Sequence, residues 1–175
     1  MTWSRQELQQ AHDHYVAVAN DCAARREWSA WADLFTDDAV YVEHCFGRFD
    51  GRQQILDWIT DVMGRWPNSD MTAFPHDWCV CDVDRGWWIC RILNRMADPG
   101  DGNVYEEANL TVLHYAGDGR FSYEEDAYNP ANFAPMITAW MAAREAAGGG
   151  AAREAAGHGA AQEAAGGGAV REAAG

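Results

Sequence analysis

Between residues 76 and 128, four strand-like stretches are separated by the short turn sequences DRG, DPGDG and AGDG. This punctuation constrains the fold more than any other feature. Short Gly/Asp turns join antiparallel neighbours, whereas parallel strands need a crossover of about a dozen residues or more. Strands over 76–83, 87–97, 103–115 and 120–128 are therefore expected to form a meander.

Ahead of the meander the period changes. Leu8, Ala11, Tyr15, Val18 and Cys22 recur at three and four and predict a helix over 4–25. Trp28, Trp31, Ala32 and Phe35 share one face of a second helix. Val40, Tyr41 and Val42 then predict a strand, with Asp37 and Asp38 shaping the turn into it. A third helix begins at DGRQQ, where Asp50 fits the N-cap and Gln53 completes a capping-box pattern. Ile55, Ile59, Val62 and Met63 form its apolar face, and Gly64 and Pro67 end it. After the meander, NPANFAPMITAW returns to helix, with Met136, Ile137 and Trp140 packing back. The class is α+β.

From Ala142 onward a nine-residue Ala/Gly/Arg/Glu repeat replaces this patterning. The expected organisation is one domain over 1–141 and a repeat tail over 142–175, mobile and only weakly helical because its triple glycines break the helix. The tail holds three Arg and four Glu, so -13 of the net charge of -14 belongs to the domain.

That acidity argues against nucleic acid and anionic membrane surfaces as partners. No apolar run reaches the roughly 18 residues of a membrane span. MTWSRQELQQ has no apolar segment or cleavage site of a signal peptide. Five cysteines, an odd number, point to reduced thiols and a cytoplasmic setting. The chain contains no lysine, which excludes Schiff-base chemistry and a Walker-type phosphate loop. GxSxG, HExxH, CxxC and a strand-linked GxGxxG are also absent.

The element order, together with LFTDDAVY, FDGRQQI and YAGDGRFSYEEDAYNP, resembles the SnoaL-like proteins of the nuclear transport factor 2 superfamily over about residues 5–141. The resemblance implies a cone-shaped α+β fold, in which a curved, mainly antiparallel sheet wraps three helices around an internal pocket. Relatives include ketosteroid isomerases, polyketide cyclases, epoxide hydrolases, dehydratases and non-catalytic members, so the fold alone does not decide the function. A homodimer through the open sheet face is also implied.

Strand alternation divides FSYEEDAY into one face with Phe121, Tyr123, Glu125 and Ala127 and another with Ser122, Glu124, Asp126 and Tyr128. Composition makes the first face look more buried, but the resemblance implies that Glu124, Asp126 and Tyr128 line the cone. It also places the acid/base Asp of the cyclases at Asp126. Burial among aromatics would raise that carboxyl's pKa toward neutrality. In YVEHCFG the base of the isomerases falls between Glu43 and His44, which point to opposite faces, so at most one meets the pocket. Tyr15 loosely matches the isomerases' hydroxyl donor, with about one turn more between it and DDA, and reads foremost as a core tyrosine. Thr111, sharing a face with Asn109, stands where the isomerases carry a second acid, and EEANLTV lacks the Arg and Asp pair of the epoxide hydrolases.

The candidate catalytic residues are thus Asp126, His44, Tyr15 and Glu43. Trp31, Tyr41, Trp58, Asn109, Thr111, Glu124 and Tyr128 are expected to contact a small apolar, oxygenated ligand or substrate. Arg91 or Arg95 could neutralise inner carboxylates, bind an anionic substrate or form an ordinary salt bridge. No cofactor and no metal is expected: in PHDWCVC, Cys79 and Cys81 share a face near His76, but a fourth ligand and the usual spacings are missing. His12 and His14 read as surface residues. A cofactor-independent acid/base enzyme, a non-catalytic ligand-binding pocket and a dimeric interaction module all remain open.

Overall fold

The computed structural model describes residues 3–166; the last repeat, AVREAAG, lies outside the described residues. Helix α1 (Arg5–Arg25) starts where Ser4 Oγ accepts the Glu7 N–H at 3.1 Å and ends at Arg26 in the left-handed region. Leu8, Ala11, Tyr15 and Cys22 of the expected stripe are buried, Val18 is half-buried, and the buried face also takes in His12 and Ala19. Helix α2 (Ser29–Ala32) is shorter than expected, because Phe35 already belongs to strand β1 (Phe35–Glu43). Asp37 and Asp38 lie within β1 at an irregularity rather than in a turn before it, and Asp37 pairs with Arg52 at 2.8 Å.

Strand β2 (Gly47–Asp50) forms a hairpin with β1. This corrects the expected N-cap of α3 (Arg52–Met63). Asp50 is a strand residue whose carboxylate is held by Arg48 at 2.9 Å, so Gly51 takes the cap position. Gln54, not Gln53, reaches back to the Asp50 N–H at 3.2 Å.

The remaining strands are β3 (Met71–Ala73), β4 (His76–Asp82), β5 (Trp87–Met96), β6 (Glu106–Gly117) and β7 (Arg120–Ala127). β4 to β7 form the expected meander. The sheet order is β2-β1-β7-β6-β5, with β3 and β4 sharing the far edge of β5. Among the described residues, only β1 and β7 pair in parallel. The curved, open sheet wraps α1 to α3, and Leu8, Phe35, Ile55, Leu113 and Phe121 are fully buried between them. Each such side chain contributes roughly 1.5–3 kcal/mol relative to exposure.

Helix α4 (Pro130–Gly166) closes a second cluster, where Trp140 packs with Met71 and Met96 and donates its indole N–H to the Ala97 carbonyl at 2.7 Å. The helix continues through Gly148–Gly150, where a break was expected. Each glycine costs about 1 kcal/mol relative to alanine, and the flanking Ala, Arg and Glu are strong helix formers. The first repeat still touches the domain: Arg144 pairs with Asp70 at 3.4 Å and lies over the Trp140 ring. Among the described residues, no helix is long and apolar enough to cross a membrane.

Candidate functional site

The site is set by an irregularity in β7. Tyr115 pairs with Phe121, but His114 pairs with Tyr123, so Ser122 is one residue extra on its strand. Such a bulge reverses which residues point inward. Phe121 therefore faces the core together with Glu124 and Asp126, and does not share a face with Tyr123 and Glu125 as expected. Tyr123 donates to Glu125 at 2.7 Å, away from the site.

Glu124 and Asp126 enter a cavity of about 290 Å³ that runs between the sheet, the helices and the start of α4. Asp126 accepts hydrogen bonds from the Tyr41 hydroxyl, the Thr111 hydroxyl and the Asn109 amide, the last at 2.8 Å. Burial raises its pKa to about 6; bonds from Thr111 and Tyr41 oppose that rise, and the Glu43 charge adds to it. Glu124 is 2% exposed and accepts the Tyr15 phenol at 2.8 Å, while its second oxygen has no partner. Burial, followed by the charge of Asp126, holds its pKa well above the ordinary carboxylate value. Burial and the two carboxylates push the Tyr15 and Tyr41 phenols up as well, which keeps them protonated as donors.

Of the two candidates on β1, Glu43 lines the cavity and His44 does not. Glu43 pairs with Asp126 across the parallel β1–β7 ladder, and its carboxylate accepts the N–H groups of Cys45 and Phe46 at 2.7 and 2.6 Å. His44 points to the opposite face, where it is half exposed and meets Glu125 at 2.7 Å. The structure thus removes His44 from the site. Tyr128 lines the cavity, and its phenol pKa is raised by burial and then by Glu43.

The apolar walls include Trp31, Tyr41 and Trp58. Trp28, Phe74 and Phe133 were not anticipated, because their positions depend on how α2, the β3–β4 link and α4 close over the sheet. Asn94 was expected only on a strand; it donates to Asn109 at 2.9 Å and so orients the amide that holds Asp126. Among the described residues, no arginine lines the cavity. Arg91 and Arg95 instead pair with Asp77 and Glu106 at 2.8 and 2.7 Å, an arrangement that fits the salt-bridge reading and not an anion site.

His12 is not a surface residue: it is 6% exposed on the inner face of α1, whereas His14 is exposed. Its ring stacks on Trp88 with centroids 4.2 Å apart. Cys79 approaches His12 and His76, and the second cysteine at this place is Cys90 rather than Cys81.

No curated protein matches the sequence at a significant level. Several solved structures share the fold. A proposed isomerase from Bacillus subtilis superposes with a TM-score of 0.55 at 17% identity, covering 72% of this chain and 88% of its own. A Catenulispora acidiphila protein with a ketosteroid isomerase-like fold, in complex with trimethylamine, gives 0.52 at 19% identity, covering 66% and 85%. A nuclear transport factor 2-like protein from Anabaena variabilis gives 0.55 at 14% identity, covering 74% and 94%. At these identities the likeness concerns the fold. Residues 14–123 match the model of the SnoaL-like domain, and the chain belongs to that family.

Proposed function

We propose that the protein binds a small, apolar, oxygenated molecule in the cone and transfers a proton on it, with Asp126 as general base. The observation that carries this reading is the Asp126 carboxyl, buried at the cavity wall, held by three uncharged donors and raised to about 6. A base of that pKa is mostly ionised at neutral pH and still basic enough to accept a proton from carbon or water. Glu124, whose pKa burial raises well above the ordinary carboxylate value, and the Tyr15 and Tyr41 phenols are the available acids and hydrogen-bond donors. The combination suits isomerisation, cyclisation, dehydration or hydration without a cofactor. With no arginine among the described residues that line it, the cavity favours neutral ligands over anions.

The test is solvent-deuterium exchange, followed by NMR, at the acidic carbons of ketone, epoxide and polyketide-like compounds that bind. Exchange with the wild type and a loss of about 10²–10⁴-fold in Asp126→Asn supports the proposal. Tight binding to both forms without exchange would favour a second reading, a non-catalytic ligand pocket, for which the aromatic walls speak.

The same reading includes a homodimer through the outer sheet face. There Trp78, Val80, Ile89 and Leu110 are all exposed on adjoining strands β4, β5 and β6. The unpaired thiols support a reducing, cytoplasmic setting.

A further inference from the structure

Beside the cavity, four side chains from three elements converge on one point. His12 comes from α1, His76 and Cys79 from β4, and Cys90 from β5; one ligand atom from each lies within 4.8 Å of all the others. His12 Nε2 stands 3.1 Å from His76 Nδ1, 3.5 Å from Cys79 Sγ and 3.4 Å from Cys90 Sγ. His76 Nδ1 is 3.4 Å from Cys79 Sγ. Hydrogen bonding does not account for this packing. One imidazole nitrogen has either a single N–H or a single lone pair, and here three polar atoms crowd the same nitrogen.

The geometry points to a tetrahedral zinc site formed by His12, His76, Cys79 and Cys90. Zinc binds nitrogen at about 2.0–2.1 Å and sulfur at about 2.3 Å, so the edges of a tetrahedron around it measure about 3.3–3.8 Å. The three separations from His12 and the one between His76 and Cys79, 3.1–3.5 Å, lie close to that range, and all four atoms stay within 4.8 Å of one another. Two nitrogens and two sulfurs in a tetrahedron form a set that selects zinc among common divalent ions. On loading, the two thiols release their protons to solvent, and divalent zinc on two thiolates and two neutral imidazoles makes an uncharged unit. Such a unit suits a place where His12 and Cys90 are almost fully buried.

The fold prepares the site in two ways. His76 pairs with Ile92 and Trp78 with Arg91, so Asp77 is an extra residue on β4. The bulge brings His76 and Cys79 to the same inner face despite their odd spacing, opposite Cys90. Trp88 stacks on the His12 ring and fixes its plane. Four protein ligands close the coordination shell, so the role is structural. Zinc would pin α1 to β4 and β5. Because Tyr15 lies about one helical turn beyond His12, the same clamp would fix the phenol that serves Glu124.

The test loads the reduced full-length chain with cobalt(II) as a spectroscopic probe and with zinc. The expected result is one cobalt per chain, with the visible bands of a tetrahedral thiolate site, displaced by zinc. Zinc should also raise the melting temperature. Cys79→Ser and Cys90→Ser should each weaken the thiolate-to-cobalt charge transfer and remove the zinc-dependent rise, whereas Cys81→Ser should leave both intact. Cys79 is only partly buried, so its serine variant is the one best able to fold. A folded, reduced wild type that takes up no metal would overturn the inference. So would cobalt bands unchanged in Cys79→Ser, or a Cys79–Cys90 disulfide in the chain isolated under reducing conditions.

Discussion

Asp126 shows how a residue's environment sets its chemistry. Its folded pKa of about 6 lies above the unfolded value. Between the two values the folded chain keeps a proton that the unfolded chain has released, so stability falls as pH rises through about 6. The shift corresponds to roughly 2–3 kcal/mol. Asp126→Asn should therefore flatten the loss of stability between about pH 4 and pH 7, measured by urea unfolding across that range. Tyr15→Phe tests the neighbouring contact. It removes the donor to Glu124, whose other oxygen already has no partner, and is expected to cost about 1–3 kcal/mol in the same assay. His44→Ala provides the contrast. His44 meets Glu125 on the outer face, so its loss should cost about 1 kcal/mol or less and leave ligand affinity unchanged, as read by calorimetry.

At the scale of elements, two bulges and one helix decide the site. The bulge at Ser122 turns Phe121 inward beside Glu124 and Asp126, and the one at Asp77 gathers His76 and Cys79 on one face. Simple alternation misassigned Phe121 because it has no way to place an extra residue, and in PHDWCVC it grouped Cys79 with Cys81 near His76, where the second cysteine is Cys90. It placed Glu124, Asp126 and Tyr128 together because they lie beyond the bulge, where the two-residue period runs undisturbed. The end of the domain behaves likewise. Trp140 was legible as a packing residue, but the role of α4 in closing the cavity was not, since that depends on where Phe133 and Ile137 come to rest. Trp140→Ala should cost about 3–5 kcal/mol in chemical denaturation, from a cavity left between Met71 and Met96 and a lost bond to Ala97.

The domain is a cone with carboxyls on its lining and an apolar outer stripe. Exposed Ile89 and Leu110 lie on neighbouring strands of that outer face. If a second copy covers them, Ile89→Arg or Leu110→Asp should shift the protein from dimer to monomer in analytical ultracentrifugation. The internal fold should be preserved, because neither side chain belongs to the core. The acidity of the domain resides mainly in carboxylates at the surface, many of them paired with arginine, such as Asp33 and Asp37 with Arg52. The cavity differs: burial raises the proton affinity of Asp126 and Glu124, and the hydrogen bonds they accept from hydroxyls and an amide only oppose that rise.

Against composition, the family resemblance implied that Glu124 and Asp126 point inward; local sequence by itself determined the α+β class, the meander, the principal helices and which residues share a face in the last strand beyond its bulge. Each depends on periodicity or turn chemistry, which act over a few residues. Tertiary structure alone decided that Glu43 rather than His44 enters the cavity, that Thr111, Asn109 and Tyr41 all converge on Asp126, and that His12 meets Cys79 and Cys90. Those contacts join residues far apart in the chain, and their geometry is set by strand register, bulges and helix docking. A shift of one residue in any of these moves a side chain from the inside of the cone to the outside.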